Sequence, residues 1–299
     1  MVPLVLLLVT GTLIGISTNI AKLAANAGLA PLSFLAWSVA GAAVVLTGVQ
    51  VARRRLTCLK TQTVEYFLVA GLVTVAAPNL IFVAAVPRVG AGFVALAIVF
   101  PPLFTYIGAL LLGMERFQAS RAAGVALALG GAAVLAYFKL SAPEADTLWI
   151  ITTLCGAILL AIGNIYRTAR WPKRTDPDEL APGMLAASAL MLFAVGVFAT
   201  IFPGTPSDFS LIVPVDRIGP VLIILAQVAT FSMQFLLLFM LQQRGGPVYL
   251  SLLGSVGAVA GVPIAVLLLG EAVPQGIVFG GALLAFGIAL LTFGRAKAT

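Results

Sequence analysis

Gln227, Thr230 and Gln234 stand at i, i+3 and i+7 in the middle of a stretch, 218–243, that carries no charge. That spacing puts the three side chains on one face of a helix. An amide at mid-depth in hydrocarbon must hydrogen-bond a neighbouring helix or face a cavity, because leaving it to lipid is costly. The cavity is the expectation, and such a face could hold the polar end of a small solute. Gly11, Gly15, Thr18 and Lys22 fall at i, i+4, i+7 and i+11 on another face, with Thr12 and Asn19 beside them. The two glycines suit either a close helix contact or a pathway wall. Lys22 either snorkels from the outer end of its segment or faces the pathway, since a charge at the centre of a membrane helix costs about 2.5–3.5 kcal/mol. Ser251 and Ser255 share a face in a further segment. Pro78 beside Asn79, Pro101-Pro102, and Pro263 remove backbone hydrogen bonds within three segments and are expected to bend them as hinges. Bent helices free carbonyls that suit a central cavity. Near these bends Phe100, Tyr106, Phe231 and Tyr249 could touch an apolar or aromatic solute.

What the chain lacks narrows the chemistry further. It has no histidine, which removes Ser-His hydrolysis, His-ligated metals and histidine proton relays. Cys58 and Cys155, in a predicted loop and a predicted helix, indicate neither a disulfide framework nor a metal cluster. No metal and no cofactor is expected. The net charge of +7 is strung along helix ends rather than clustered, so no nucleic-acid partner is expected either.

The elements that position these groups follow from composition. Of 299 residues, 61% are hydrophobic and 9% charged, whereas charged residues make up about a quarter of a soluble chain. The charge-free gaps run 1–21, 23–52, 66–87, 89–114, 122–138, 147–166, 180–207, 218–243, 245–270 and 272–294. Each is long enough to hold the ~17–25 residues of a membrane-crossing helix, which predicts ten spans. With both termini cytoplasmic, the inner loops hold Arg53, Arg54, Arg55, Lys60, Arg116, Arg121, Arg167, Arg170, Lys173, Arg174, Arg244, Arg295 and Lys297. The outer side then holds only Lys22, Arg88, Lys139 and Arg217, as the positive-inside rule requires. A cleavable leader ending near Ala25-Asn26-Ala27 is disfavoured by the missing basic flank and by Lys22.

The chain also matches itself. An offset of 156 lays Arg88 on Arg244, Gly90 on Gly246, Leu112 on Leu268, Glu115 on Glu271 and Gly124 on Gly280. Near the start of each half the offset is 145, laying Asn19 on Asn164 and Lys22 on Arg167. An insertion at Pro203 to Val213 accounts for the difference. Five spans per copy is an odd number, so the second copy enters the membrane inverted, an architecture many transporters use around a midplane site. The expected fold is an all-α integral membrane protein of ten transmembrane helices, built as two inverted-topology five-helix repeats, 1–143 and 144–299, around a central cavity. The mapping of Lys22 onto Arg167 gives each mouth one cation, which could steer a carboxylate-bearing solute; an ordinary positive-inside arginine serves as well. The glycine-rich spans five and ten read as scaffold.

With the two inverted fives stand the turns Leu112-Gly113-Met114-Glu115 and Leu268-Leu269-Gly270-Glu271, and Gly15 followed by Asn19 and Lys22. In these the chain resembles the drug/metabolite transporter superfamily of EamA type, and within it the YddG-like bacterial amino-acid exporters. The resemblance implies an inner-membrane exporter of amino acids, including large neutral or aromatic ones, working by alternating access. The expected substrate-binding set is Thr18, Asn19, Lys22, Asn79, Phe100, Asn164, Gln227, Thr230, Gln234, Tyr249, Ser251 and Ser255. Expected partners are the small-molecule substrate and the lipid bilayer, with the protein a monomer or homodimer in a bacterial plasma membrane. Export of other metabolites or drugs is the alternative within transport; a lipid-processing membrane enzyme and a non-transporting sensor or scaffold are the alternatives outside it. No Asp, Glu or His is expected near mid-membrane, which predicts a facilitator rather than a proton-coupled carrier.

Overall fold

A computed structural model of the chain describes residues 2–53, 61–98, 100–113, 117–120, 122–124, 126–127, 130–131, 134, 146–172, 175–202, 207–214, 218–270 and 277–293. Helix is the only regular structure among them. The elements are α1 (Val2–Asn26), α2 (Pro31–Ala52), α3 (Thr61–Gly71), α4 (Ala77–Val89), α5 (Ala91–Ala97), α6 (Pro101–Leu111), α7 (Thr147–Ala169), α8 (Pro177–Ile201), α9 (Ile218–Leu267) and α10 (Ile277–Phe293). Helix starts follow local chemistry. Pro31 and Pro177 open α2 and α8, where a missing N–H costs nothing. Asp146 caps α7 by accepting from the Trp149 N–H at 3.2 Å.

Six helical stretches among the described residues are long and apolar enough to cross a membrane: Leu4–Asn26, Pro31–Ala52, Thr61–Val89, Thr147–Ala169, Glu179–Ile201 and Ile218–Arg244. These are the predicted spans one, two, three, six, seven and eight. Span three is one crossing built from α3, a π-helical turn at Leu72–Ala76, and α4. The wide turn comes just before Pro78, which has no N–H for the Thr74 carbonyl, so the expected hinge is absorbed without a break. Span four differs from expectation. It is broken rather than bent: α5 stops at Ala97 and α6 starts at Pro101, because two successive prolines cannot donate to the carbonyls four residues back, and the Ala97 carbonyl accepts from the Phe100 N–H at 3.1 Å instead.

The 50-residue α9 covers spans eight and nine. Helical backbone passes Arg244, yet the element reverses direction. Gln227 bonds Ser17, while Gly261 bonds Asn19, two residues along α1; in a straight helix Gln227 and Gly261 would stand about 50 Å apart. The reversal falls between Leu241 and Leu253, which pack together with Leu6 and Leu7. Pro263 sits exposed in the returning arm. The ends of span four and of that arm share one device. Gly113 and Gly270 close them with φ of 67° and 64°, a left-handed backbone that only glycine adopts cheaply. Met114, Glu115 and Glu271 of the paired turns lie outside the described residues, as do most of span five and Arg295 and Lys297.

Besides the cluster of Leu6, Leu7, Leu241 and Leu253, two larger apolar cores hold the described helices. One joins Phe34, Phe82, Val86, Phe93, Phe100, Leu103 and Ile150; the other joins Leu35, Tyr66, Phe67, Leu180, Met184, Phe231, Phe235 and Phe239. Val44, Leu190 and Phe198 point outward, fully in keeping with a surface solvated by lipid rather than water. Closest packing joins α1 to the returning arm of α9. A Cβ on Gly11 would lie 2.5 Å from Val256 Cβ, and one on Gly15 would lie 2.6 Å from Gly257 O and 2.7 Å from Gly261 N. Gly11-xxx-Gly15 is therefore a helix contact of the small-residue kind. On α7, Gly163 is held equally close to Thr74, and Ile165 reaches Gly108 of α6.

Candidate functional site

The α1–α9 contact carries a group of buried amides. Gln227 is fully buried, and its Nε2 donates to Ser17 Oγ at 2.5 Å. Asn19 Nδ2 donates to Gly15 O at 2.8 Å and to Gly261 O at 2.9 Å. Gln234 lies two turns beyond Gln227 and is also buried. All three amides leave their carbonyl oxygen, Asn19 Oδ1, Gln227 Oε1 and Gln234 Oε1, buried without a donor. Each buried acceptor left without a donor costs about 1–3 kcal/mol. The threonines on the same faces are bonded within their own helices: Thr18 Oγ1 donates to Ile14 O at 3.0 Å and Thr230 Oγ1 to Ala226 O at 2.8 Å.

The other expected site residues lie elsewhere. Asn79 is half-buried and its Nδ2 donates to Val75 O of its own turn at 2.8 Å. Phe100 is packed in the apolar core at the α5–α6 break, with its carbonyl accepting from Leu103 N at 2.9 Å. Asn164 Oδ1 accepts from Arg167 Nη2 at 3.5 Å. None of the described hydrogen bonds joins these three to the α1–α9 amides. The side chains of Tyr249, Ser251, Ser255 and Pro102 lie outside the described residues. Sequence reasoning passed over Ser17, one position off the Thr18 stripe, although it is the partner of Gln227. It also passed over Thr10 and Ser38, buried hydroxyls without partners in α1 and α2; small hydroxyls give no periodic signal.

Charged groups gather at the two ends of the bundle. At one end Arg88 pairs with Asp208, donates to Ala84 O at 2.7 Å and stands 4.2 Å from the Trp149 ring centroid. Asp146 caps α7 beside it. Half-buried Lys22 belongs to this end, because its neighbours Ala21 and Ala24 pack with Val86 and Val89. At the other end Arg167 is buried to 2% exposure, with its guanidinium 5.4 Å from the Phe239 ring centroid. Lys22 and Arg167 therefore occupy opposite ends.

These features define a multi-pass membrane protein whose buried polar groups lie between helices. Residues 1–137 match the model of the EamA-like transporter family, whose members are membrane transporters of small molecules. Among 14 matching solved chains, one described only as "Crystal structure of protein" superposes with a TM-score of 0.64. The match covers 99% of this chain and 98% of that one at 18% identity, a likeness of fold. No curated protein matches.

Proposed function

We propose that the chain is an inner-membrane exporter of amino acids, with large neutral and aromatic ones foremost, working by alternating access of two inverted five-helix halves. Membership of the EamA-like family over its whole length is part of the same proposal. The observation that carries the reading is the set of buried carbonyl oxygens on Asn19, Gln227 and Gln234, acceptors without donors on α1 and α9. They suit an ammonium group, which has three donors and no acceptor.

Pairing of contacts supports the inverted halves. Exchanging each span with the one five further on turns the α1 contact with the returning arm of α9 (Gly15 on Gly261) into the α7 contact with α6 (Ile165 on Gly108). At the level of spans it likewise turns the α1 contact with span eight (Ser17 on Gln227) into the α7 contact with span three (Gly163 on Thr74). Thr74 donating to Ala70 O at 2.5 Å repeats as Thr230 donating to Ala226 O, at the sequence offset of 156. A site flanked by equivalent contacts on both sides can open either way by rocking one half against the other. Lys22 and Arg167 then stand at the outer and cytoplasmic mouths. Alanine at Asn19, Gln227 and Gln234 in turn tests the assignment: efflux from cells should fall while membrane abundance stays normal. Unchanged efflux in all three removes these amides from the substrate path.

A further inference from the structure

Among the described residues, Arg167 is a cation buried without a counter-ion. Taking a guanidinium out of water costs several kcal/mol unless charge or hydrogen bonds replace the solvent. Among the described residues its replacements are thin: a 3.5 Å bond from Nη2 to Asn164 Oδ1, the edge of an aromatic wall at Phe239, and no carboxylate. Its Nε is buried with no partner. The phenol of Tyr66, 1% exposed, is a second buried donor without an acceptor. Tyr66 stacks on Tyr166, the neighbour of Arg167, at 6.2 Å, and belongs to the same apolar core as Phe239, over whose ring the Arg167 guanidinium sits. Trp171 closes the side at 6.0 Å from Phe239.

We infer that Arg167 and Tyr66 form a binding seat for a small carboxylate, the anionic end of a solute, with Phe239 and Trp171 against its apolar part. Nε–H, Nη–H and the phenol O–H supply convergent donors, and a carboxylate supplies the acceptor-only group they lack. The seat is separate from the α1–α9 amides. Its amino-acid ligand rests on the proposed function, but its anion chemistry does not.

Trp171 serves as the reporter. W37F combined with W149F leaves it as the only tryptophan, and its emission is followed in neutral detergent during titration with L-phenylalanine, L-phenylalaninamide and benzoate. Phenylalanine and benzoate should shift the emission saturably, with the amide at least about tenfold weaker. R167Q should erase the difference between acid and amide; R167K should keep part of it, and Y66F should weaken the acid a few-fold. If R167Q does not fold, R167K and the parent's acid-to-amide ratio decide. An Arg167-dependent response to benzoate without one to phenylalanine upholds the seat and defeats the amino-acid reading. Equal responses to acid and amide, no response to either carboxylate, an unaltered ratio in the arginine variants, or a response only to added phosphatidylglycerol overturns the seat.

Discussion

Gly15→Ala tests the contact on which the candidate site is built. The new methyl would stand 2.6 Å from Gly257 O and 2.7 Å from Gly261 N, nearly 1 Å inside the ~3.5 Å at which such atoms pack well. Both obstacles are backbone, so no rotamer change relieves the clash; α1 and the returning arm must part. A separation of about 1 Å also breaks the 2.9 Å bond from Asn19 Nδ2 to Gly261 O, one turn away. Overpacking costs about 1–3 kcal/mol, and an interhelical bond in a membrane averages about 0.6 kcal/mol. Alanine returns up to about 1 kcal/mol of helix propensity. The net expectation is a loss of about 1–2 kcal/mol. Gly48→Ala is the control, since Gly48 is exposed on α2 with nothing within 4 Å of a new Cβ; it should be neutral or stabilising by up to about 1 kcal/mol. Unfolding both variants by SDS titration in mixed micelles, against the parent, gives the comparison. Equal stability of the two variants would refute the close contact, and with it the placement of Asn19 beside Gly261.

Cysteines introduced at 88 and 244, after Cys58 and Cys155 are replaced by serine, should label with a membrane-impermeant maleimide from opposite faces; labelling of both from one face contradicts the inverted halves. Asp208→Asn should lower the thermal midpoint only slightly, an effect of about 0–1 kcal/mol that shrinks in high salt, because the pair with Arg88 is part-exposed. A large, salt-independent loss there would mean the ion pair holds more of that end of the bundle together than its exposure allows. Ser17→Ala should reduce stability by about 0.6–1.7 kcal/mol in the same SDS titration, as it removes the partner of Gln227; no change would place that amide elsewhere.

The sequence carried the crossings but not their joints. Charge-free gaps marked six helices that are continuous and long, because hydrocarbon thickness fixes their length. They could not reveal that Pro101 starts a new helix while Pro78 is absorbed in a π turn; that depends on whether neighbouring carbonyls find other donors. The reversal in α9 was legible in Arg244-Gly245-Gly246-Pro247 as the gap between two apolar runs. Periodicity singled out Asn19, Gln227 and Gln234, which the structure buries, since amides in apolar helices are rare enough to stand out. It missed Ser17 and the burial of Tyr66, and it treated Phe100 as a solute contact although the core claims it. Single aromatic and hydroxyl residues look alike in sequence whether they pack, cap or bind. The alignment of Arg167 with Lys22 left open a mouth cation or an ordinary positive-inside arginine, while its burial near Phe239 depends on helices that only the fold brings together.

Transport itself is the central claim, and flux measures it most directly. Purified protein is reconstituted into liposomes loaded with labelled phenylalanine or leucine, and release is followed with the internal and external pH equal. Efflux down the gradient, saturable and reduced by Gln227→Ala, is the result expected of an uncoupled exporter. Flux that requires an imposed proton gradient and loses that requirement in Lys22→Gln would contradict uncoupled transport and make Lys22 the coupling group. No flux of either amino acid above protein-free liposomes would contradict the amino-acid exporter altogether.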